Sequence, residues 1–235
     1  PDSSNAPYPL VIMSHGHPGN RFLMSHTAES LASKGYIVAS IDHTDSTYES
    51  EQNFFSTLYN RPLDQRFVMA NLAEVEESGP LSGMIDTDST GIIGYSMGGY
   101  GLINNLGGAY NPEMVDSFMA PPNGLLGEHA ESNPEFKNNL DPRIKAGGAV
   151  GPWGRNNGLW RADGLAGITV PTLYIAGSAD TVSGYANGTR AIFEGAVNSD
   201  RYLLTFKNAG HNAAAPIPGP VEVQASEGQL GSGHY

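Results

Sequence analysis

A chain of 235 residues with 39% hydrophobic content can bury one sizeable core, and no apolar run in it approaches the length of a membrane-spanning helix. Without any Cys, it has no disulfide framework, no thiolate zinc site and no cysteine nucleophile. A formal charge of -12, with only 12 Lys and Arg spread along the chain, offers no electrostatic footprint for nucleic acid or an anionic membrane. Pro1 is not a translational start, so the sequence reads as a processed or trimmed form. Scarce Lys beside abundant Gly, Asn, Ser and Pro leads us to expect a secreted or periplasmic protein. One α/β domain over 1–235 is the expected organisation.

In chain order, residues 10–15 (LVIMSH) form a short β-branched apolar run, as a strand buried on both faces of a parallel sheet requires. Residues 36–42 (YIVASID) form a second. Between them, 21–34 carries Phe22, Leu23, Ala28, Leu31 and Ala32 at helical spacing and stops at Gly35, giving a strand–helix–strand crossover. Residues 62–77 repeat the helical pattern with Pro62 at the start. A third strand, 91–95, runs into Ser96, and 97–106 is helix-compatible. Residues 107–143 lack periodicity, hold five Pro and read as an excursion near the site. Strands are expected at 144–150, 172–176 and 202–206, with a helix at 185–193 and a loop-like tail over 212–235. This alternation is the α/β signature.

Gly94-Tyr95-Ser96-Met97-Gly98 matches G-x-S-x-G, in which small residues flank a serine on a sharp strand-to-helix turn. The pattern alone is a weak signal in a Gly-rich chain, but a strand before it and a helix after it supply the context it needs. A serine hydroxyl needs a base within reach and a carboxylate to hold that base in the right tautomer. Asp180 follows the strand 172–176 and His211 follows the strand 202–206, so both fall at C-terminal strand ends, where open α/β sheets place their sites. Asp163 and Asp200 precede strands and fall at the wrong end; His234 sits one residue from the terminus. The second need is an oxyanion hole. Met97 supplies one backbone N–H, and His17, in the loop His15-Gly16-His17-Pro18-Gly19, is the choice for the other. His15 and His17 could also suggest a metal, but no further ligands stand at a recognised spacing, so neither metal nor cofactor is expected.

The runs SHGHPGNR and LASKGYIVASIDH resemble the dienelactone hydrolase-like and platelet-activating factor acetylhydrolase-like branch of the α/β hydrolases. Gly151-Pro152-Trp153, ITVPTLYIAGSAD and the closing AGH resemble bacterial cutinase-like polyester hydrolases, including those acting on polyethylene terephthalate. The likeness covers nearly all of 8–215 and implies an α/β-hydrolase fold with a mostly parallel central sheet flanked by helices. It also implies the triad Ser96, Asp180 and His211, an oxyanion hole of His17 and Met97, and Trp153 as a wall of the acyl cleft. Dienelactone hydrolases carry Cys at the elbow, so Ser96 shifts the expectation toward ordinary esters. Strands ahead of residue 8 and a helix after residue 215 belong to the family and are not visible here. The chain is therefore expected to be part of a longer one, or to cover the edge of the strand at 36–42 in some other way.

The expected activity is hydrolysis of carboxylic esters through an acyl-enzyme on Ser96, acting on a small-molecule or polymeric ester. Polyester hydrolysis by the same triad is the alternative. A non-catalytic binding module on the same fold, and acyl transfer to an alcohol, are the remaining readings.

Overall fold

The protein is described by a computed structural model for residues 3–51, 54–79, 81–117, 120–216 and 218–224. Six strands form one all-parallel sheet: β1 (Tyr8–Ser14), β2 (Ile37–Ile41), β3 (Ile85–Tyr95), β4 (Ile144–Val150), β5 (Thr172–Gly177) and β6 (Arg201–Phe206), in the order β2-β1-β3-β4-β5-β6. The helices are α1 (Ser25–Ala32), α2 (Phe54–Ser78), α3 (Met97–Asn105), α4 (Ala162–Leu165), α5 (Arg190–Gly195) and α6 (Val221–Gln224).

Alternation along β1 divides the core. Leu10 and Ile12 face the cluster under α2 and α3 with Leu58, Met69, Tyr100 and Leu102, whereas Val11 and Met13 face the one under α1 with Leu23 and Met24. Helices therefore cover both faces, as a parallel sheet demands. The cover thins at one side. Leu173, Tyr202, Leu204 and Phe206 are exposed on β5 and β6, and β2 and β6 are the two sheet edges among the described residues. No helix among the described residues is long and apolar enough to cross a membrane.

Two elements differ from the sequence expectation for clear reasons. β3 begins at Ile85, six residues before the expected 91, because its first half, Asp86-Thr87-Asp88-Ser89-Thr90, is too polar to read as a strand. Thr87 and Thr90 are nonetheless buried, joined by a hydrogen bond of 2.7 Å from the Thr90 hydroxyl to the Thr87 carbonyl. α2 begins at Phe54, so Pro62 lies inside the helix and not at its start. Proline removes the N–H that would bond the carbonyl four residues back. The Tyr100 hydroxyl donates to that Leu58 carbonyl, and Asn105 Nδ2 donates to Pro62 O at 3.0 Å. The buried face of α2 runs through Leu58, Arg61, Gln65 and Met69, and two polar members concealed its period.

Smaller differences follow. Tyr185–Thr189 forms a π-type turn ahead of α5, and the tail read as loop contains α6, whose Val223 is buried against the α1 cluster. Residues 225–235, including His234, lie outside the described residues. Residues 107–143 hold short 3-10 turns at Pro112–Met114, Pro122–His129 and Lys137–Asn139.

Candidate active site

Ser96 stands between β3 and α3 with φ 52° and ψ -111°, a strained conformation for a residue with a side chain. Neighbouring glycines make the turn possible. A Cβ at Gly94 would lie 2.2 Å from the Gly98 carbonyl oxygen, and one at Gly98 would lie 1.9 Å from that of Ser14. The backbone locks the turn from both sides, since Ser96 N donates to Val150 O (2.8 Å) while Ser96 O accepts from Tyr100 N (3.0 Å) and Trp153 N (3.1 Å).

Asp180 and His211 meet. His211 Nδ1 lies 2.9 Å from Asp180 Oδ2, with both residues buried. The other carboxylate oxygen, Oδ1, accepts from Val182 N (2.8 Å) and Ser183 N (3.0 Å). Burial pushes the Asp180 carboxyl up, but the His211 hydrogen bond and charge and the two N–H donors outweigh it and hold the group below the usual carboxylate range. Tyr95 packs on the imidazole with ring centroids 5.2 Å apart, and its hydroxyl donates to Asn212 Oδ1. Gly151, at φ 48°, lets β4 pass close behind: a Cβ there would sit 3.3 Å from His211 Cε1 and Nδ1.

Ser96, His211 and His17 line one cavity of about 130 Å³, together with Gly16, Leu23, Tyr48, Val182 and Asn212 among others. Met97 opens α3, so its N–H belongs to the first helical turn and has no intrahelical acceptor. Of the competing acids, Asp163 is exposed on α4, and Asp200 is exposed with its carbonyl accepting from Thr172 N at the start of β5, the far end of the sheet. Trp153 does not line the cavity. Its ring packs on Phe54 (5.5 Å) and Tyr100 (6.1 Å), and Phe54 in turn packs on His17 (5.2 Å).

Sequence reasoning missed a buried polar cluster behind the His15–Gly19 loop. Arg61 is fully buried; it donates to the carbonyls of His15 and Gly16 and to the Ser46 hydroxyl. His15 Nδ1 donates to Gly16 O at 2.7 Å, and its Nε2 accepts from His43 N at 3.2 Å, so neither nitrogen is left for a metal. His43 reaches Ser14 Oγ (2.8 Å) and Asp64 Oδ2 (2.7 Å). Burial, reinforced by the Arg61 charge, holds the pKa of His15 and of His43 well below the ordinary imidazole value, and lowers that of His17 to a lesser degree. Burial also brings the Arg61 guanidinium down to about 9. No group of three or more potential metal ligands occurs among the described residues. Arg61 gave no local sign, being one cation in a helix whose partners lie 15 to 46 residues away in sequence.

The parallel sheet, the strained serine at the β3–α3 turn and the Asp–His pair on the loops after β5 and β6 define an α/β-hydrolase fold. Residues 2–77 match the family of platelet-activating factor acetylhydrolase, isoform II. The chain is also similar to cutinase est1 of Thermobifida alba, 25% identical over 210 residues that cover 89% of this chain and 55% of that relative. It thus spans about half the length of the curated relative it matches. Both similarities fall among the α/β-hydrolase esterases.

Proposed function

We propose that the chain is a serine carboxylic ester hydrolase. The observation that carries this reading is the His211–Asp180 hydrogen bond, which ends at a cavity also lined by Ser96 at its strained turn. Ser96 is the nucleophile. His211 takes its proton through Nε2 and later returns one to the leaving alcohol, while Asp180 holds the imidazole in the tautomer with its proton on Nδ1. Attack on the ester carbonyl puts negative charge on oxygen, and the backbone N–H groups of His17 and Met97 receive it. Water activated by His211 then cleaves the acyl-enzyme. A cavity of about 130 Å³ encloses only part of an ester, so the remainder of the substrate lies along the surface.

The cutinase-like relative favours a second form of the same reading, in which the ester belongs to a polymer. Trp153 and Phe54 then form an apolar bank beside His17 for the acid unit. An extracytoplasmic setting belongs to the proposal and is supported by the Lys-poor, Gly- and Asn-rich composition.

The test is direct. A fluorophosphonate should label Ser96 stoichiometrically and stop turnover of p-nitrophenyl acetate and butyrate; Ser96→Ala should show neither labelling nor turnover. Absence of both from the parent protein would favour a binding module on this fold. Release of soluble monomer from a polyester film, compared between the parent and Trp153→Ala, tests the polymer form.

A further inference from the structure

The proposed reading requires the His17 N–H to point into the cavity, and the following inference rests on it. We propose that Arg61 is a positioning residue for the oxyanion hole: its guanidinium, with the His15 imidazole, clamps the Gly16 carbonyl from behind and so aims the His17 N–H at the reacting oxygen.

Gly16–His17 is a trans peptide, so its C=O and N–H point in opposite directions across one rigid plane. Whatever fixes the Gly16 oxygen therefore fixes the His17 N–H. That oxygen accepts from His15 Nδ1 (2.7 Å) and Arg61 Nη2 (3.4 Å), neither of which lines the cavity that Gly16 and His17 line. Arg61 Nη1 donates to the preceding carbonyl, His15 O, so two successive peptides are held by one planar fork. A third contact reaches the His17 ring. Arg61 Nη2 donates to Ser46 Oγ, which leaves the Ser46 proton for His17 Nδ1 at 2.7 Å.

Glycine at 16 gives the loop little stiffness of its own, and Gly16 stands so close to the nucleophile that a Cβ on it would be 3.3 Å from that of Ser96. The clamp supplies what the backbone lacks. Stability alone is a poor reason for a fully buried guanidinium whose Nε has no hydrogen-bond partner among the described residues. The carboxylate that interacts with it, Asp64, is hydrogen-bonded to His43 instead. A positive charge on the Gly16 carbonyl also polarises the peptide, making its N–H a stronger donor at the moment the oxyanion forms.

Arg61→Met and Arg61→Lys, made in the full chain, test this with p-nitrophenyl butyrate and a trifluoromethyl ketone, whose tetrahedral adduct places an oxyanion in the hole. Arg61→Met should lose about 10- to 100-fold in kcat, part of the loss expected for deleting a whole donor. KM should stay within about twofold, because the lost interaction is made only in the transition state. The ketone should weaken by the same factor as kcat, and Arg61→Lys, which reaches one carbonyl but not both, should recover part of both losses. Folded variants with parental kcat would overturn the proposal. So would a loss of kcat with no matching loss of ketone affinity, or failure of both variants to fold, which would make the role of Arg61 purely structural. A parent that neither turns over esters nor is labelled at Ser96 fails the proposed activity itself, and that result is read before any variant is made.

Discussion

Asp180→Asn is the most informative single change. Asp180 Oδ1 accepts from two backbone N–H groups, Val182 and Ser183, so in Asn the carbonyl oxygen must stay there and the amide NH2 must take the place of Oδ2. An NH2 cannot accept from His211 Nδ1, which lies 2.9 Å from that position. On the proposed mechanism the imidazole, forced to place its proton on Nε2, can then no longer take one from Ser96. Loss of the correct tautomer should cost about 10⁴ in kcat, or ~5.5 kcal/mol of transition-state stabilisation. The fold should be nearly untouched, because both backbone donors keep their acceptor. The assay is steady-state hydrolysis of p-nitrophenyl butyrate by variant and parent, with melting curves recorded in parallel. A variant with parental stability and activity within about tenfold of the parent would refute the argument and reassign the acid.

Other expectations follow from the same geometry. Ser96→Gly should abolish turnover yet raise stability by about 1 kcal/mol, since strain of ~1–3 kcal/mol at φ 52° is relieved against a smaller gain in unfolded-chain entropy; a melting temperature no higher than that of Ser96→Ala would argue that the turn stores no strain. Gly151→Ala adds a side chain at φ 48°, 3.3 Å from the His211 ring, and should cost ~1–2 kcal/mol and lower kcat, which denaturant titration and kinetics measure together. Tyr100→Phe deprives the Leu58 carbonyl of its donor beside Pro62 and should destabilise by ~1–3 kcal/mol, read from urea midpoints.

Acid should weaken the fold before it touches the carboxylates. Burial is the main cause holding His15, His43 and His129 below their ordinary range, the last to about 4. The unfolded chain takes up protons at these three positions near pH 6.5 while the folded chain does not, so stability is full above that pH and falls as pH drops through it. The loss reaches up to about 4 kcal/mol at pH 5.5 if all three stay neutral in the fold. Urea unfolding at pH 7.5 and 5.5 measures it, and equal stabilities would mean that these rings are solvated or protonated in the folded state.

The sheet was legible in the sequence because the inner stretches of a parallel sheet's strands are apolar on both faces and need no partner to be recognised. LVIMS, IVASI and LYIA announce themselves locally. The elbow was equally legible, since the crowding that requires Gly94 and Gly98 arises within five residues. Chain order and strand ends then brought Asp180 and His211 forward, and their hydrogen bond follows from the register of β5 with β6. Local pattern failed where burial is polar. The first half of β3 is buried through threonines, and the start of α2 is buried through Thr57 and Arg61 beside Leu58, so neither shows the apolar period from which elements are read. Only tertiary structure could decide that Arg61 meets His15, Gly16 and Ser46, or that the Trp153 ring packs on Phe54 and Tyr100. Hydrogen bonds to backbone carbonyls and ring packing depend on where distant segments converge, and a carbonyl looks the same at every position of a sequence.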